Sequence, residues 1–418
     1  MNLLDPLESE VRFYCRTFPA IFTKGIGSHL FDNRGRKYID FFSGAGAVNY
    51  GHNNPRLKKR LIEYLESDCI VHSLDMATAA KIEFLERFDA VILAPRKLRY
   101  KCQFCGPTGT DAVEAALKLA RKVTGRQAVV FFMDAYHGLS LGALAVTGNM
   151  SKRRGAGAPL PYAMPMPYDG DLGLETDTLD YFECFLRSSG RGMELPAAVI
   201  VETIQAEGGV KVASYRWLKR LAEITKRYGV ILIVDDIQVG CGRTGSFFSF
   251  EPAGIYPDMI CLSKSISGYG LPMALLLIRP DYDLWKPGEH VGTFRGNNLA
   301  FVTASESLWY WEDDNFSAGI QEKSAHAAAL LNALVREYPD AQGCVRGRGL
   351  IQGLQFGVAG LAEQVSRAAF ERGLIIETVG AENDVLKLLP PLTISHEELK
   401  DGICRLGNSL KTTLRKLA

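Results

Sequence analysis

The sequence predicts an α/β protein whose larger part is built on a mostly parallel β-sheet, with a smaller α+β domain beside it. Between about residues 100 and 310, short apolar runs alternate with amphipathic stretches, which is the rhythm of repeated strand–helix–strand units. Residues 230–234 are five branched apolar side chains in succession, as expected for a central strand covered on both faces. After about residue 312 this rhythm is replaced by a long Ala- and Leu-rich stretch and short apolar runs.

The change of pattern sets the predicted domain boundaries. Residues 1–55 are expected to contribute to the small domain, residues 56–311 to form the large domain, and residues 312–418 to complete the small one. We expect the small domain to share its sheet with a hairpin near the start of the chain.

Within these limits, the local pattern predicts most helices and strands. Apolar runs predict strands at 99–104, 128–132, 197–201, 230–234, 258–262, 273–278, 350–356 and 374–377. Helical spacing predicts helices at 8–22, 57–67, 110–124, 215–228, 319–337 and from about 396. Two further predictions are a hairpin at 28–42 and a long surface excursion at 147–194, where Gly, Pro and charged residues are dense.

Composition narrows the class of protein. The chain has 418 residues, of which 47% are hydrophobic, and a net charge of +1, which offers no field for nucleic acid or an anionic membrane. No apolar run approaches the roughly 20 residues that span a bilayer. The first ten residues carry acids and no apolar secretory core, so we expect a cytoplasmic protein without a signal peptide.

The cysteines and histidines predict no metal site. Nine cysteines without an even framework suit a reducing compartment. The single C-x-x-C motif, Cys102 to Cys105, falls in a predicted strand, where residues three apart point to opposite faces. The seven histidines form no H-E-x-x-H motif, and the sequence has no Walker loop.

Two predicted neighbouring strands end in charged side chains instead of turn residues. The run 230–234 is followed by Asp235 and Asp236, and the next run is followed by Lys264. The carboxyl ends of parallel strands are where α/β proteins bind their ligands, and a buried carboxylate requires a cation or several donors. These residues therefore predict a functional site, with a purely structural Asp–Lys ion pair as the alternative.

A third feature is the turn at residues 106–110, which leads from a strand into a strong helix. Free amide groups at a helix start, with hydroxyls beside them, bind anions, although Thr108 or Thr110 could equally be a simple N-cap. Because the turn lacks a P-loop lysine, it suits one phosphate monoester. Pyridoxal phosphate requires all three features together: a lysine, an acid for its ring nitrogen, and a helix start for its phosphate.

The motifs around these residues resemble those of the class III, ω-amino-acid aminotransferases. The resemblance covers nearly the whole chain and is carried by residues 108–110, 136–138, 201–209, 235–245, 263–264 and 292–294. It implies the fold-type I architecture of pyridoxal-phosphate enzymes. It also implies a homodimer, or a dimer of dimers, with active sites at the subunit interface, and amino-acid and oxo-acid substrates.

The resemblance also implies roles for individual residues. Lys264 is expected to be the Schiff-base lysine and Asp235 the partner of the ring nitrogen. The other expected cofactor residues are Thr108, Gly109 and Thr110 at the phosphate, Tyr136 on one ring face with His137 after it, Glu202 nearby, Gln238 at the ring hydroxyl, and Thr293 from the other subunit. Plain alternatives are a core aromatic for Tyr136 and a turn residue for Thr293.

Three positions depart from the family pattern, and these departures narrow the range of expected substrates. Asp236 stands where a glutamate is usual, Arg295 follows Phe294 where Gly is common, and Lys387 stands where many relatives have an arginine. Lysine lacks the bidentate fork of arginine, so the α-carboxylate clamp of those relatives is not expected here. The candidate substrate residues are Tyr50, Glu207 (which resembles the family's gating acid), Arg295 and Lys387. A solvated surface role is equally open for Arg295 and Lys387.

These departures are similar to those of diaminobutyrate–2-oxoglutarate aminotransferases of the ectoine pathway, which convert aspartate 4-semialdehyde and glutamate into 2,4-diaminobutyrate and 2-oxoglutarate. Alternatives are a class III enzyme for ornithine, acetylornithine or 4-aminobutyrate, and the same reaction serving siderophore or peptide synthesis. A non-catalytic cofactor carrier would be expected to lack the lysine or to add a DNA-binding motif. A nicotinamide oxidoreductase lacks its glycine fingerprint here.

Overall fold

The computed structural model describes residues 7–173, 175–192 and 194–417. Its helices are α1 (Tyr14–Thr17), α2 (Ser43–Gly46), α3 (Pro55–Glu66), α4 (Ala79–Phe88), α5 (Gly109–Thr124), α6 (Leu141–Ala145), α7 (Met150–Arg154), α8 (Thr178–Arg187), α9 (Tyr215–Tyr228), α10 (Asn298–Ser307), α11 (Asn315–Glu337), α12 (Leu361–Glu371) and α13 (His396–Leu417). Residues 1–6, on which the expectation of no signal peptide partly depends, lie outside the described residues.

The strands of the described residues belong to four sheets. They are β1 (Phe22–Ile26), β2 (His29–Asp32), β3 (Lys37–Asp40), β4 (Lys101–Phe104), β5 (Val129–Phe132), β6 (Ala163–Met166), β7 (Ala198–Val201), β8 (Ile204–Gln205), β9 (Lys211–Val212), β10 (Ile231–Asp235), β11 (Met259–Leu262), β12 (Leu275–Ile278), β13 (Cys344–Arg348), β14 (Ile351–Gln355), β15 (Leu374–Ile375), β16 (Glu377–Val379) and β17 (Val385–Leu388).

Seven strands form the central sheet in the order β4-β12-β11-β10-β7-β5-β6. All its pairings are parallel except those of β12, which runs antiparallel to both neighbours. The side chains of β10 alternate between two cores: Leu232 and Val234 pack on one face, Ile231 and Ile233 on the other. The predictions of a mostly parallel sheet and of a central strand covered on both faces are confirmed.

Two four-stranded sheets lie outside the central one, in the orders β1-β2-β3-β15 and β13-β14-β17-β16. Strand β15 pairs in parallel with β3, with Leu374 opposite Ile39, so the N-terminal hairpin shares a sheet with a C-terminal strand. That expectation is confirmed, whereas the domain boundaries after residues 55 and 311 remain predictions.

Two expected elements differ from the structure. The helix predicted at 8–22 is only α1, because Pro19 has no amide hydrogen and disfavours a helical Phe18, and β1 begins at Phe22. The stretch 147–194 is more than a surface excursion, since its strand β6 forms an edge of the central sheet. Pro165 lies in β6, and proline is tolerated on edge strands although it weakens the strand signal in a sequence.

The remaining structural expectations concern metals and membranes. Cys102 packs against the core on one side of the central sheet and Cys105 belongs to the core on the other, as the spacing predicted. Within the described ranges, no group of three or more His, Cys, Asp or Glu side chains is arranged to hold a metal ion. Among the same residues, none of the helices combines the length and apolar character needed to cross a bilayer.

Candidate active site

Strand β10 delivers Asp235 to the carboxyl edge of the central sheet, where its side chain is buried. One carboxylate oxygen, Oδ2, lies 2.7 Å from His137 Nδ1, and the other accepts a hydrogen bond of 3.1 Å from the Ile237 amide. A carboxylate only accepts, so His137 Nδ1 serves as the donor of this pair whenever Asp235 is a carboxylate. Asp235 is thus oriented by two donors before any ligand arrives.

The neighbouring parallel strand, β11, leads to Lys264 two residues after its end. Lys264 has a φ of 52°, a left-handed conformation that a non-glycine residue adopts at a cost. Burial lowers the pKa of its amine, and the nearby charge of Lys387 lowers it further, while Glu207 opposes the shift. The structure brings Lys264 and Asp235 to one cavity, as the sequence predicted.

That cavity has a volume of about 280 Å³ and lies where the sheet edge meets the start of α5. Most of the predicted cofactor residues line it, and apolar walls are added by Ala206, Ile237 and Val239. The predicted residues in its lining are Thr108, Gly109, Thr110, Tyr136, His137, Glu202, Glu207, Asp235, Gln238 and Lys264.

One end of the cavity is formed by the first turn of α5, where the Asp111 amide donates to the Thr108 carbonyl (3.1 Å) and the two amides before it have no acceptor within the helix. Thr108 occupies the N-cap position, but its hydroxyl donates to Asp111 (3.0 Å) and caps no amide. The Thr110 hydroxyl lies 2.5 Å from Ser140 Oγ. A side chain at Gly109 would meet Ile237 at 3.0 Å, so glycine keeps this end open.

The other end is a chain of buried charges that begins at Glu207. Lys387 Nζ lies 2.5 Å from Glu207 Oε1, 2.9 Å from Gln238 Oε1 and 3.1 Å from Glu377 Oε1. Burial alone would raise the pKa of Glu207, but the charges of Lys387 and Lys264 lower it to about 2. Burial raises the pKa of Glu377 to about 7 despite the same lysine.

Between the two ends, Glu202 and Tyr136 form a wall. Glu202 is buried and accepts a hydrogen bond of 3.0 Å from the backbone amide of Tyr136. Burial raises the pKa of Glu202 to about 7, against the opposing effect of His137. Burial also raises the pKa of the half-buried Tyr136 phenol, with further increases from Glu207 and Glu202.

Four predicted residues do not line the cavity. Lys387 reaches it only through Glu207 and Gln238. Tyr50 is buried between Tyr310 and Phe316 and its hydroxyl accepts from Trp311 (2.8 Å), so its position gives no support to a substrate contact.

The other two are Thr293 and Arg295. Thr293 is exposed, and its carbonyl lies 3.1 Å from His72 Nε2. Arg295 is partly buried beside Gly106, where an added Cβ would meet its Nη1 at 2.7 Å. Both lie outside the wall of this chain's own cavity.

Glu377 is a site residue that sequence analysis missed. It lies directly opposite Lys387 in the pairing of β16 with β17, so the strand register alone brings the two charges together. The available signal was an acidic residue at the end of a short apolar run, a pattern that surface strands share.

Comparison with known proteins assigns this geometry to a family. The family model described as aminotransferase class-III matches residues 14–410. The chain belongs to the class-III aminotransferases. It is 56% identical over 411 residues to the diaminobutyrate–2-oxoglutarate transaminase of Halalkalibacterium halodurans, covering 98% of this chain and 96% of that one. It is 57% identical over 416 residues to the protein of the same name from Bordetella parapertussis, covering 99% and 96%.

Solved structures agree on the fold. An ornithine aminotransferase from Toxoplasma gondii superimposes with a TM-score of 0.83 at 26% identity, covering 99% of this chain and 93% of that one. An aminotransferase from Bacillus anthracis gives a TM-score of 0.87 at 22% identity, covering 97% and 96%, and is similar in fold alone. The predicted fold-type I architecture is confirmed.

Class-III aminotransferases depend on pyridoxal phosphate, and the Toxoplasma gondii structure has this cofactor at partial occupancy in its active site. The donor set here fits the group: an amine at Lys264, a carboxylate at Asp235, and the open helix start at Gly109. The residues present therefore match an aromatic aldehyde that carries a ring nitrogen and one phosphate.

Proposed function

We propose that this aminotransferase is a diaminobutyrate–2-oxoglutarate transaminase, which moves an amino group between glutamate and aspartate 4-semialdehyde to give 2-oxoglutarate and 2,4-diaminobutyrate. Relatives with that name at 56% and 57% identity support the substrate assignment. The structural observation that carries the reaction class is that Lys264 and Asp235, from neighbouring parallel strands, line one cavity.

Lys264 is proposed to hold the cofactor and to move the proton. Bound pyridoxal phosphate supplies an aldehyde that exchanges amines and a ring that withdraws electrons from the substrate carbon. Lys264 Nζ then accepts the proton that leaves the substrate carbon bearing the amino group. It later donates this proton to the carbon at the other end of the amino transfer. The lowered pKa of Lys264 favours this role, because a larger fraction of its amine is neutral near pH 7.

Asp235 is proposed to keep the ring nitrogen protonated, with His137 as its positioning residue. The 2.7 Å contact between Asp235 Oδ2 and His137 Nδ1 fixes the direction of the carboxylate, and Ile237 fixes the second oxygen. A carboxylate held in a buried site interacts strongly with an opposing ring cation, because little water screens the pair.

Substrate carboxylates are proposed to bind where Glu207 meets Lys387, with Arg295 as the second candidate cation. The Lys387 amine already has three partners, so a substrate carboxylate must displace one of them. The side chain of Glu207 is 27% exposed and that of Glu377 only 7%, so Glu207 is the partner expected to move. Lys387 thus contacts a substrate carboxylate only after Glu207 turns away.

The second subunit is proposed to complete the site in a homodimer or a dimer of dimers. Thr293 and Phe294 are exposed on this chain, and His72 packs edge-on to Phe294 at 5.3 Å. Leu74, Leu139 and further apolar side chains nearby in the sequence are also exposed. Exposed apolar side chains of this kind are typical of protein interfaces, and Thr293 would reach the cofactor phosphate across such an interface.

The product is proposed to serve ectoine synthesis in the cytoplasm, with siderophore or peptide synthesis as the other use of diaminobutyrate. The nine cysteines are all unpaired, which suits a reducing compartment.

A panel of amino donors and acceptors tests the proposed reaction. Purified protein saturated with pyridoxal phosphate is given glutamate and aspartate 4-semialdehyde, and 2-oxoglutarate and diaminobutyrate are quantified. We expect this pair to give the highest kcat/KM, above ornithine, acetylornithine and 4-aminobutyrate with 2-oxoglutarate. Fast turnover of ornithine without turnover of the semialdehyde would overturn the substrate assignment and leave the reaction class intact.

A further inference from the structure

A second cavity, separate from the active site, lies between the central sheet's loops and the β13–β14 sheet. It has a volume of about 510 Å³ and is bounded by the start of α9, residues 244–252, helix α11 and strand β13. We call it the Arg346–Arg348 cavity. None of its lining residues lines the catalytic cavity.

The charges in this cavity are all of one sign. Arg346 and Arg348, two residues apart on β13, point to the same side of the strand, and no Asp or Glu belongs to the lining. Neither arginine forms an ion pair within the described part of the chain, and the carboxylates whose charge acts on them, Asp384 and Asp236, lie outside the lining. A cavity at the opposite edge of the central sheet differs, because its Arg279 is paired with Asp258 at 2.9 Å.

The cavity also holds donors without acceptors. Arg348 Nη2 donates to the Ser249 carbonyl (2.9 Å), while its Nε and Nη1 are buried and unpartnered among the described residues. Thr244 lines the cavity, is 7% exposed, and its Oγ1 also has no hydrogen-bond partner among them. Buried donors are normally satisfied, so an acceptor that reached Arg348 or Thr244 from the cavity would complete their hydrogen bonding.

The missing acceptor has a defined chemistry. Guanidinium groups form bidentate hydrogen bonds with the oxygens of phosphate, sulfate or carboxylate. The N-terminal end of α9, which begins at Tyr215 in the cavity wall, adds the positive potential of a helix start. We propose that the Arg346–Arg348 cavity binds a small oxyanion, either free inorganic phosphate or the phosphate or carboxylate group of a metabolite.

A bound anion would act on the contact between β13 and the loops of the central sheet. Arg346 Nε donates to the Gly209 carbonyl (2.7 Å) and Arg348 to Ser249, so β13 is held to the large sheet's loops by two cations. Ser249 in turn donates through its amide (3.0 Å) and its hydroxyl to Asp236, the residue next to Asp235. Because the fold brings the two cations together, an anion bound between them offsets their mutual repulsion, so binding is expected to favour the folded protein.

The binding test uses protein saturated with pyridoxal phosphate, so that the phosphate end of the catalytic cavity is filled. Inorganic phosphate, malonate and chloride are titrated at constant ionic strength, and the midpoint of thermal unfolding and the heat of binding are measured. We expect a saturable rise of the midpoint with phosphate or malonate and none with chloride. Tighter binding of phosphate points to inorganic phosphate or a phosphorylated metabolite, and tighter binding of malonate points to a carboxylate. No saturable response to either anion overturns the proposal.

Variants locate the site. Arg346→Gln and Arg348→Gln are each expected to weaken binding by about tenfold or more. Arg367→Gln is the matched control, since Arg367 on α12 is 74% exposed and is not one of the lining residues. If Arg348→Gln fails to fold, Thr244→Val is measured in its place and is also expected to weaken binding. Unchanged binding in Arg346→Gln and in the second variant overturns the proposal.

Discussion

Lys264 combines an unusual backbone with an unusual electrostatic environment. Its φ of 52° turns the chain sharply after β11, which aims the amine into the cavity instead of along the strand. Strain of this kind persists only where the surroundings enforce it, and it is concentrated at functional sites. Burial and the charge of Lys387 lower the pKa of its amine, so the backbone and the charges favour the same reactive group.

Replacing this lysine is the direct test of its role. Lys264→Ala is expected to lose transamination by several orders of magnitude, because it removes the group that transfers the proton. The cofactor should still bind without a covalent link, since the helix start and Asp235 remain. Turnover and the absorbance spectrum of the cofactor measure the two effects. Near-normal turnover would contradict the assignment.

Glu377 gives a second prediction at this scale, on the dependence of stability on pH. Its pKa is raised from 4.5 to about 7 in the folded protein, so its contribution favours folding below pH 4.5 and is lost as pH rises through 7. Between pH 5 and pH 8 the wild-type protein should therefore lose about 2 kcal/mol more stability than Glu377→Gln, which cannot ionise. Urea unfolding at both pH values measures this difference.

The control for that prediction is Glu363→Gln, because Glu363 on α12 is partly exposed and its partners, Arg367 and Asn383, lie outside the buried cluster around Lys387. It should keep the wild-type dependence on pH. Equal slopes for wild type and Glu377→Gln would show that Glu377 does not titrate near pH 7.

Glu377 also shows which contacts of single residues cannot be predicted from sequence. Asp235 and Lys264 were predictable because each interrupts an apolar run, which a buried strand does not otherwise allow. The ion pair of Lys387 with Glu377 depends on the register of β16 and β17, and the burial of Tyr50 on aromatic rings from residues 310 and 316. Such contacts are set by tertiary packing, which no local pattern contains.

At the scale of elements, helix α5 joins the cofactor end of the cavity to the core. Its buried face packs beneath the central sheet, and its first turn meets the loop at residues 138–140. Gly138 has a φ of 130°, and an added Cβ would lie 2.5 Å from Thr110 Oγ1. Glycine at this position is therefore required both by the backbone and by the closeness of the helix start.

Gly138→Ala should disturb this junction and thereby weaken cofactor binding. The methyl group must displace Thr110, so we expect the affinity for pyridoxal phosphate to fall by about tenfold or more, measured by absorbance titration of the apoprotein. Gly125→Ala is the matched control at the other end of α5. Gly125 also has a positive φ but has no atom within 4 Å of an added Cβ. Its stability should fall by about 1 kcal/mol with cofactor affinity unchanged. Equal affinity losses in the two variants would contradict the role of Gly138.

Strands that are buried on both faces were predictable from sequence, whereas the edge strand β6 and the short helix α1 were not. The strands β7, β10, β11 and β12 were predictable because all their side chains are buried, which leaves continuous apolar runs. Strand β6 was missed because an edge strand tolerates Pro165 and exposure. Helix α1 is short because Pro19 and the start of β1 end it, although the amphipathic pattern predicts a longer helix.

At the scale of the whole molecule, the cavity of one chain contains only part of the site predicted from sequence. Ten of the predicted residues line the cavity, whereas Tyr50, Thr293, Arg295 and Lys387 do not, and Thr293 is exposed. The segment that carries Thr293 packs on His72 and exposes Phe294 to 62%. An apolar ring of that exposure beside a predicted cofactor residue is explained if a second copy of the chain covers it.

If two copies of the chain pair over this surface, as proposed, Phe294→Asp should separate them and lower activity. A charge in the centre of an apolar interface is costly, so light scattering should find a shift from dimer to monomer at micromolar concentration. Loss of the partner's Thr293 should also weaken cofactor binding in proportion to the monomer fraction. Tyr181→Asp is the matched control, because Tyr181 is an aromatic residue with 58% exposure on α8, away from this surface. A wild-type protein that is monomeric and fully active would contradict the shared site.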